Sequence, residues 1–391
     1  MQDIKHEASV REIMDQFALK TGLSTSAQTP ERYLWTDAFA VCNFLHLYRH
    51  TCHENYRQQA LDLVEQVHGI LGRHRDDDPR SGWISSLDDE TGCLHPTLGG
   101  LRIGKRLGER KRNQPLDAQL EWDRDGQYYH YLTKWMHALH QVSAVTGDPI
   151  YNRWACELGK TMHRAFAHQL GSGAEKRLYW KMSIDLTYAL VPSMGHHDPL
   201  DGLITCAEVQ EPSAGQPAAM PSCDLSNEIA DLSEMCRHKT WATDDSLGIG
   251  GLLFDAGRML HMIACDTGFK DHGLLCDVLH SSMVGLQSFS AGGGLRGSSE
   301  ERLAFRELGL AIGLHAVPRM LALLQDGIEF EQRDIVKDQL NILMAALPLA
   351  ASIDAFWLSP LNRQSASWRA HENINMVMLA TSLAPDGFLS L

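Results

Sequence analysis

The chain has no Walker loop, no dinucleotide fingerprint between a strand and a helix, no Gly-x-Ser-x-Gly elbow and no His-Glu-x-x-His helix. Each of those motifs sets particular residues at fixed spacing to cradle phosphate, bind a dinucleotide, expose a serine or ligate zinc. Nucleotide hydrolysis and redox cofactors therefore drop out, and no cofactor is expected. Paired Cys-x-x-Cys spacing is also missing. The nine cysteines are odd in number and scattered, and Cys42, Cys156, Cys236, Cys265 and Cys276 fall inside helix patterns. They read as reduced thiols rather than a disulfide framework or a zinc site, and no metal is expected.

Long apolar runs are lacking too. No stretch approaches the roughly 20 apolar residues of a membrane span. The opening residues, MQDIKHEASVREIMDQFALK, are amphipathic and have no apolar signal-peptide core. The expectation is a soluble, cytoplasmic protein without a membrane partner. Positive charge is in deficit, with 35 Lys and Arg against 49 Asp and Glu and a net charge of −14. Such a surface repels phosphate backbones, so no nucleic-acid partner is expected. A homodimer is left open.

Strand signals are sparse, and helix signals are plentiful. Apolar residues recur at three- and four-residue spacing over 56–71, 151–170 and 335–349. Thr146-Gly147-Asp148-Pro149 separates two such segments, and Ala384-Pro385-Asp386-Gly387 stops the last.

A second kind of segment alternates with these. It is apolar on most sides and opens on polar and aromatic residues. Six occur, opening at Trp35-Thr36-Asp37, Gln127-Tyr128-Tyr129-His130-Tyr131, Trp180-Lys181-Met182-Ser183-Ile184-Asp185, Thr243-Asp244-Asp245, Phe305-Arg306-Glu307 and Trp368-Arg369-Ala370-His371. Asp185, Asp245, Glu307 and His371 follow one another at intervals of 60, 62 and 64 residues. That period suits two helices plus loops. Helices apolar all round belong inside and striped ones outside. The pattern predicts one all-α domain over 1–391, an (α/α)6 barrel or six-hairpin toroid. Gly248, Gly250, Gly251, Gly309 and Gly313 leave room for its inner helices to pack closely.

The first interval is longer, with 92 residues from Asp37 to Tyr129. The excess, 75–121, reads as a loop insertion with a basic run from Lys105 to Arg112. It is expected to lie over the mouth, with a short hairpin. A Pro/Gly/Ala-rich stretch, 211–221, reads as a surface loop.

In such a barrel the six inner helices start at one end, and their opening clusters form a cup. A lone Asp at a helix start is an ordinary N-cap, whereas a charge inside an apolar helix must be paired. Asp37, Asp125, Asp185 and Asp245 are the candidate catalytic carboxylates, and His371 is a candidate acid or base. Trp35, Tyr129, His130, Trp180, Trp241, Trp368, Arg306, Glu307 and Asn375 are candidate substrate contacts, because sugars offer apolar faces and hydroxyl edges. His196 and His197, in Met194-Gly195-His196-His197-Asp198-Pro199, join them as cup-lining residues. Adjacent histidines do not naturally face one metal.

The six clusters resemble those of the six-hairpin glycosidase-like superfamily. It includes (α/α)6 glycoside hydrolases and, as an architectural relative, the N-acylglucosamine 2-epimerase family. The resemblance covers almost the whole chain and rests on architecture. It implies a carbohydrate-active enzyme with a sugar-like small-molecule partner: a glycoside hydrolase using inner-ring carboxylates, or a sugar epimerase. Epimerases of this type use histidines from the fourth and sixth inner helices. His371 matches the second, but Asp244 and Asp245 stand where the first belongs. A second base would come from His196, His197 or His130. A non-catalytic helical toroid that binds a ligand or partner is the third reading.

Overall fold

The computed structural model describes residues 2–24, 29–169, 171, 175–211, 224–267 and 269–389. Positions 212–221 of the expected Pro/Gly/Ala-rich loop lie outside them. The chain is all-α in class and divides into two compact units, Ala18–Arg237 and Met1–Phe17 with His238–Leu391. They are called here the central and terminal units. Helix α1 (Gln2–Lys20) runs from the second into the first.

The central unit holds α2 (Leu34–Thr51), α3 (Glu54–Leu71), α4 (Asp89–Leu94), α5 (Ala118–Glu121), α6 (Tyr129–Thr146), α7 (Ile150–Phe166), α8 (Asp198–Gln210) and α9 (Ser226–Cys236). Its strands are β1 (Gln127–Tyr128), β2 (Ala167–Gln169), β3 (Lys176–Leu178), β4 (Lys181–Met182) and β5 (Ala189–Val191). α2 is buried without a break from Leu34 to Leu47. α3 buries only the stripe Tyr56, Ala60, Leu63, Val64, Val67, His68 and Leu71. The same contrast separates α6 from α7 and α8 from α9. Three all-round apolar helices thus alternate with three striped ones, as the hydrophobic pattern requires.

The third buried helix is not where the sequence pattern put it. The segment from Trp180 to Val191 is a β-hairpin: β4 pairs antiparallel with β5 and with β1. Asp185 therefore lies in a turn and not on an inner helix. Ser183 Oγ accepts the N–H groups of Thr187 and Tyr188, and Leu186 takes a positive φ of 60°. Short hydroxyl side chains that satisfy nearby backbone compete with helix formation. α8, opening at Asp198, is the third buried helix instead.

The insertion contains α4, α5 and two isolated bridges, Arg73 with Trp83 and Leu107 with Arg124. Cys156 is disulfide-bonded, against the reading of a fully reduced set, while Cys42, Cys52, Cys93, Cys206, Cys236, Cys265 and Cys276 are free.

The terminal unit adds α10 (Ser246–Ala264), α11 (His272–Ala291), α12 (Ala304–Gln325), α13 (Arg333–Met344), α14 (Leu347–Leu358), α15 (Ala366–Ala370), α16 (Glu372–Leu383) and α17 (Asp386–Leu389). α10, α12 and α16 are the largely buried helices; α11, α13 and α14 bury single faces. α13 and α14 follow one another between the buried helices α12 and α16.

α10 and α12 are long and apolar enough to cross a membrane by length and composition. That departs from the expectation that no stretch is. Their apolar surface is covered within the protein, with 61 % and 67 % of the apolar windows buried. The two helices approach backbone to backbone. A Cβ on Gly250 would lie 2.0 Å from the Gly309 carbonyl oxygen, and one on Gly313 would lie 2.5 Å from the Gly250 carbonyl oxygen.

Neither carbonyl can swing away as a side chain would. Gly250→Ala is expected to destabilise the protein by about 1–3 kcal/mol through overpacking. Gly251→Ala, with nothing within 4 Å, is expected to be neutral or stabilising by up to about 1 kcal/mol, the helix-propensity gain. Urea unfolding of the two variants checks this. Equal effects would mean that the close approach of α10 and α12 does not govern the packing.

Candidate active site

In the central unit the leading ends of α2, α6 and α8 meet. Tyr33, the N-cap of α2, has an extended backbone, and its N–H donates to Asp37 Oδ2 at 2.9 Å. Asp37 is buried, with Arg32 Nη1 3.6 Å away. Burial pushes its carboxyl up to about 6, against the opposing pull of Arg32 and of the Tyr33 N–H.

The Tyr33 and Tyr131 hydroxyls share a hydrogen bond of 2.7 Å. Trp35 packs between Phe39 at 4.7 Å and Tyr131 at 6.4 Å, measured between ring centroids. Tyr128, the N-cap of α6, sits 5.1 Å from Tyr131 and 5.3 Å from Trp180. Trp180 in turn meets Trp122 edge-on at 5.2 Å. The result is a continuous aromatic lining from Trp35 to Trp122. Tyr33, Tyr131, His130 and Trp180 are half-buried, and Trp122 is 52 % exposed. Part of the lining therefore meets solvent.

His130 is the histidine within this lining. Its ring meets Tyr131 edge-on at 4.9 Å and lies nearly parallel to Trp180, 6.3 Å away at 17°. Its Nδ1 is buried without a hydrogen bond, and Asp198 Oδ1 of the first turn of α8 is 3.8 Å from it. Burial pushes the imidazole down to about 4, Lys134 adds to that shift, and Asp201 opposes it. The ring is thus neutral near pH 7 while its side chain stays 30 % exposed. Asp201 is held by Lys134 Nζ at 2.6 Å and Thr133 Oγ1 at 2.5 Å. A Cβ on Gly195 would lie 2.3 Å from Asp198 Oδ2, so glycine there leaves room for the carboxylate.

The other candidates of this unit are placed differently. Tyr129 turns away from the recess, because adjacent helix positions differ by about 100° in direction. It is fully buried against Phe166, with its hydroxyl facing Gly202. Asp125 is also fully buried. It accepts from Arg102 Nη1 at 3.0 Å, Arg75 Nη1 at 3.3 Å and the Gly104 N–H at 3.0 Å. Asp185 accepts from Arg80 Nη1 at 2.7 Å, Ser183 Oγ at 2.8 Å and Thr187 Oγ1 at 2.7 Å. Its partial burial alone would raise its pKa, but these donors outweigh that and hold it low. Arg80 also binds Asp78 and Glu109. His196 is exposed and His197 half-buried, with rings 4.7 Å apart just before α8. No group of three or more His, Cys, Asp or Glu placed to hold a metal occurs among the described residues.

In the terminal unit the leading ends of α10, α12 and α16 also meet. Asp245 caps α10 by accepting the Gly248 N–H at 3.1 Å, and it pairs with Arg306 in the first turn of α12. His371, between α15 and α16, is exposed and meets Phe305 edge-on at 5.4 Å. Glu307 points inward. Arg302 grips both its oxygens, at 2.8 and 2.6 Å, and Trp357 Nε1 donates to it at 2.8 Å. Trp368 is buried on Trp357 at 5.6 Å. Asn375 is buried, accepting the Phe305 N–H and donating to the Trp368 carbonyl, both at 3.0 Å. Trp241 is core, with Lys239 Nζ 6.0 Å from its ring.

Asp198, Tyr33 and Tyr131 were not singled out from the sequence. Asp198 opens α8, and the register of that first turn decides which acid faces His130. Tyr33 precedes its cluster and carries no signal beyond being aromatic.

No protein-family model matches the chain, and no curated protein matches it. Among solved structures it is similar to a sugar epimerase from a ruminal bacterium, at 10% identity over 89% of this chain and 87% of that one, with a TM-score of 0.46.

The surroundings of the two central-unit carboxylates predict opposite outcomes. Asp125→Asn strips a buried pair from Arg102 and should cost about 3–5 kcal/mol. Asp185→Asn loosens half-exposed contacts and should cost within about 1 kcal/mol. Thermal and urea unfolding of both variants checks this; a stable Asp125→Asn protein would remove the anchoring role.

Proposed function

We propose that the chain is a carbohydrate-active enzyme acting on a monomeric or short sugar, with the aromatic recess of the central unit receiving the ring. The observation that carries this reading is His130: a neutral, partly exposed imidazole set among Tyr128, Tyr131 and Trp180, with a carboxylate 3.8 Å from its buried nitrogen. Aromatic faces suit the apolar face of a sugar. A neutral imidazole takes a proton, and an adjacent carboxylate stabilises the imidazolium that results.

The first reaction we infer is glycoside hydrolysis. It needs one carboxyl that keeps its proton and one that stays ionised. Asp37, beside Tyr33 and raised to about 6 by burial, is the candidate for the first of these. Epimerisation is the second reading, favoured by His130 itself, which would abstract a proton from a substrate C–H.

One incubation in D2O with reducing monosaccharides and simple glycosides separates the two. Deuterium appearing at a sugar carbon marks epimerisation, and a new reducing end marks hydrolysis. Neither product, together with no ligand-dependent change in tryptophan fluorescence, would sink the proposal.

His130→Gln is expected to lower kcat by about 100-fold or more. The pH dependence follows from its burial. A free imidazole gains its proton near 6.5, whereas His130 does so near 4. As a base it therefore stays active as pH falls through that window, and the acidic limb of kcat/KM should lie well below 6.5. The same shift means that the unfolded chain binds more protons between the two values, so this group's contribution to stability is lost as pH falls from 6.5 towards 4. A limb at 6.5 that survives in His130→Gln would exclude the residue from proton transfer.

A further inference from the structure

The insertion of this acidic chain carries Lys105, Arg106, Arg110, Lys111 and Arg112 within eight residues, against one acid, Glu109. Arg110 is taken by Glu121 at 3.0 Å and by two carbonyls. Lys105, Arg106, Lys111 and Arg112 make no ion pair with any described residue, although the chain has 49 acids to offer.

Lys105 is the one that reaches the recess. It is half-buried, with Nζ 5.3 Å from the centre of the Tyr33 ring. Tyr33 hydrogen-bonds Tyr131, whose ring meets His130. Its backbone is held firmly. Arg75 donates to the Lys105 carbonyl at 2.5 Å and to the Arg106 carbonyl at 2.7 Å, and Asp125 binds both Arg75 and the Gly104 N–H. Gly104 has φ +93°, and a Cβ there would lie 2.2 Å from the Arg32 carbonyl oxygen. The turn is therefore built for this path and accepts only glycine. Buried groups thus fix the backbone that carries Lys105, and its ammonium meets an aromatic face but no acid among the described residues.

A cation without an acid beside it attracts an anion that meets it and discriminates against neutral ligands. We propose that the recess takes an anionic sugar, one bearing a carboxylate or a phosphate ester, and that Lys105 supplies its counter-charge. This rests on the reading of the recess as a sugar site. It names the class of sugar.

The test is titration of tryptophan fluorescence with glucuronate, glucose 6-phosphate and glucose, in the wild type, Lys105→Gln and Lys105→Arg, with circular dichroism to confirm that each variant is folded. At least one anionic sugar is expected to bind about tenfold more tightly than glucose, to lose about that factor in Lys105→Gln, and to retain most of it in Lys105→Arg. Raising the salt should weaken the anionic ligand and leave glucose unchanged. Preference for glucuronate identifies a carboxylate ligand; preference for glucose 6-phosphate identifies a phosphate. Glucose binding as tightly as both anions, or anion affinity unchanged in folded Lys105→Gln, overturns this inference and leaves the sugar reading standing. Absence of binding by all three sugars overturns both.

Discussion

A carboxylate with no exposed surface holds the segment leading into α6 in place. Asp125 gathers Arg75, Arg102 and the Gly104 N–H, and two residues later the buried Gln127 side chain accepts from the Leu101 N–H and donates to the carbonyls of Gly99 and Ile184. The insertion, the β4–β5 hairpin and the start of α6 are thereby tied to one three-residue segment. A buried charge that is fully matched imposes one geometry, because any displacement leaves an unpaired ion in a poorly polarisable interior. Tyr128 and His130 inherit their positions from this segment, and so does Lys105.

The terminal unit uses the same device with different residues. Glu307 is gripped by Arg302 and Trp357, while the backbone carbonyl contacts between α10 and α12 need Gly250, Gly309 and Gly313. With Glu307 directed inward, Asp245, Arg306 and His371 are left to face outward at the leading ends of α10, α12 and α16. Tyr129 and His130 in one unit, and Glu307 and Arg306 in the other, show adjacent helix positions pointing in different directions, one into the core and one towards the helix's leading end.

Five of the six buried helices were legible from composition, because a helix apolar all round has only an interior to occupy. The third was misplaced. Its apparent cluster at Trp180 to Asp185 has the right residue types and the right interval, but Ser183 and Thr187 offer the backbone a turn, and pairing with Gln127-Tyr128 offers a sheet partner far away in sequence. Interval counting cannot register a competitor of that kind. Among the candidate residues, Trp35, His130 and Trp180 join one aromatic cluster, while Tyr129, Asp125 and Glu307 are buried in contacts of their own.

What the sequence determined by itself is the class of fold and the alternation of its helices, since both follow from how much apolar surface each segment must remove from water. What only the tertiary structure decided is which polar residues remain available. That choice depends on partners brought from up to about a hundred positions away, as when Arg80 takes Asp185 or Tyr33 meets Tyr131, and no local pattern encodes which donor arrives first at a given carboxylate.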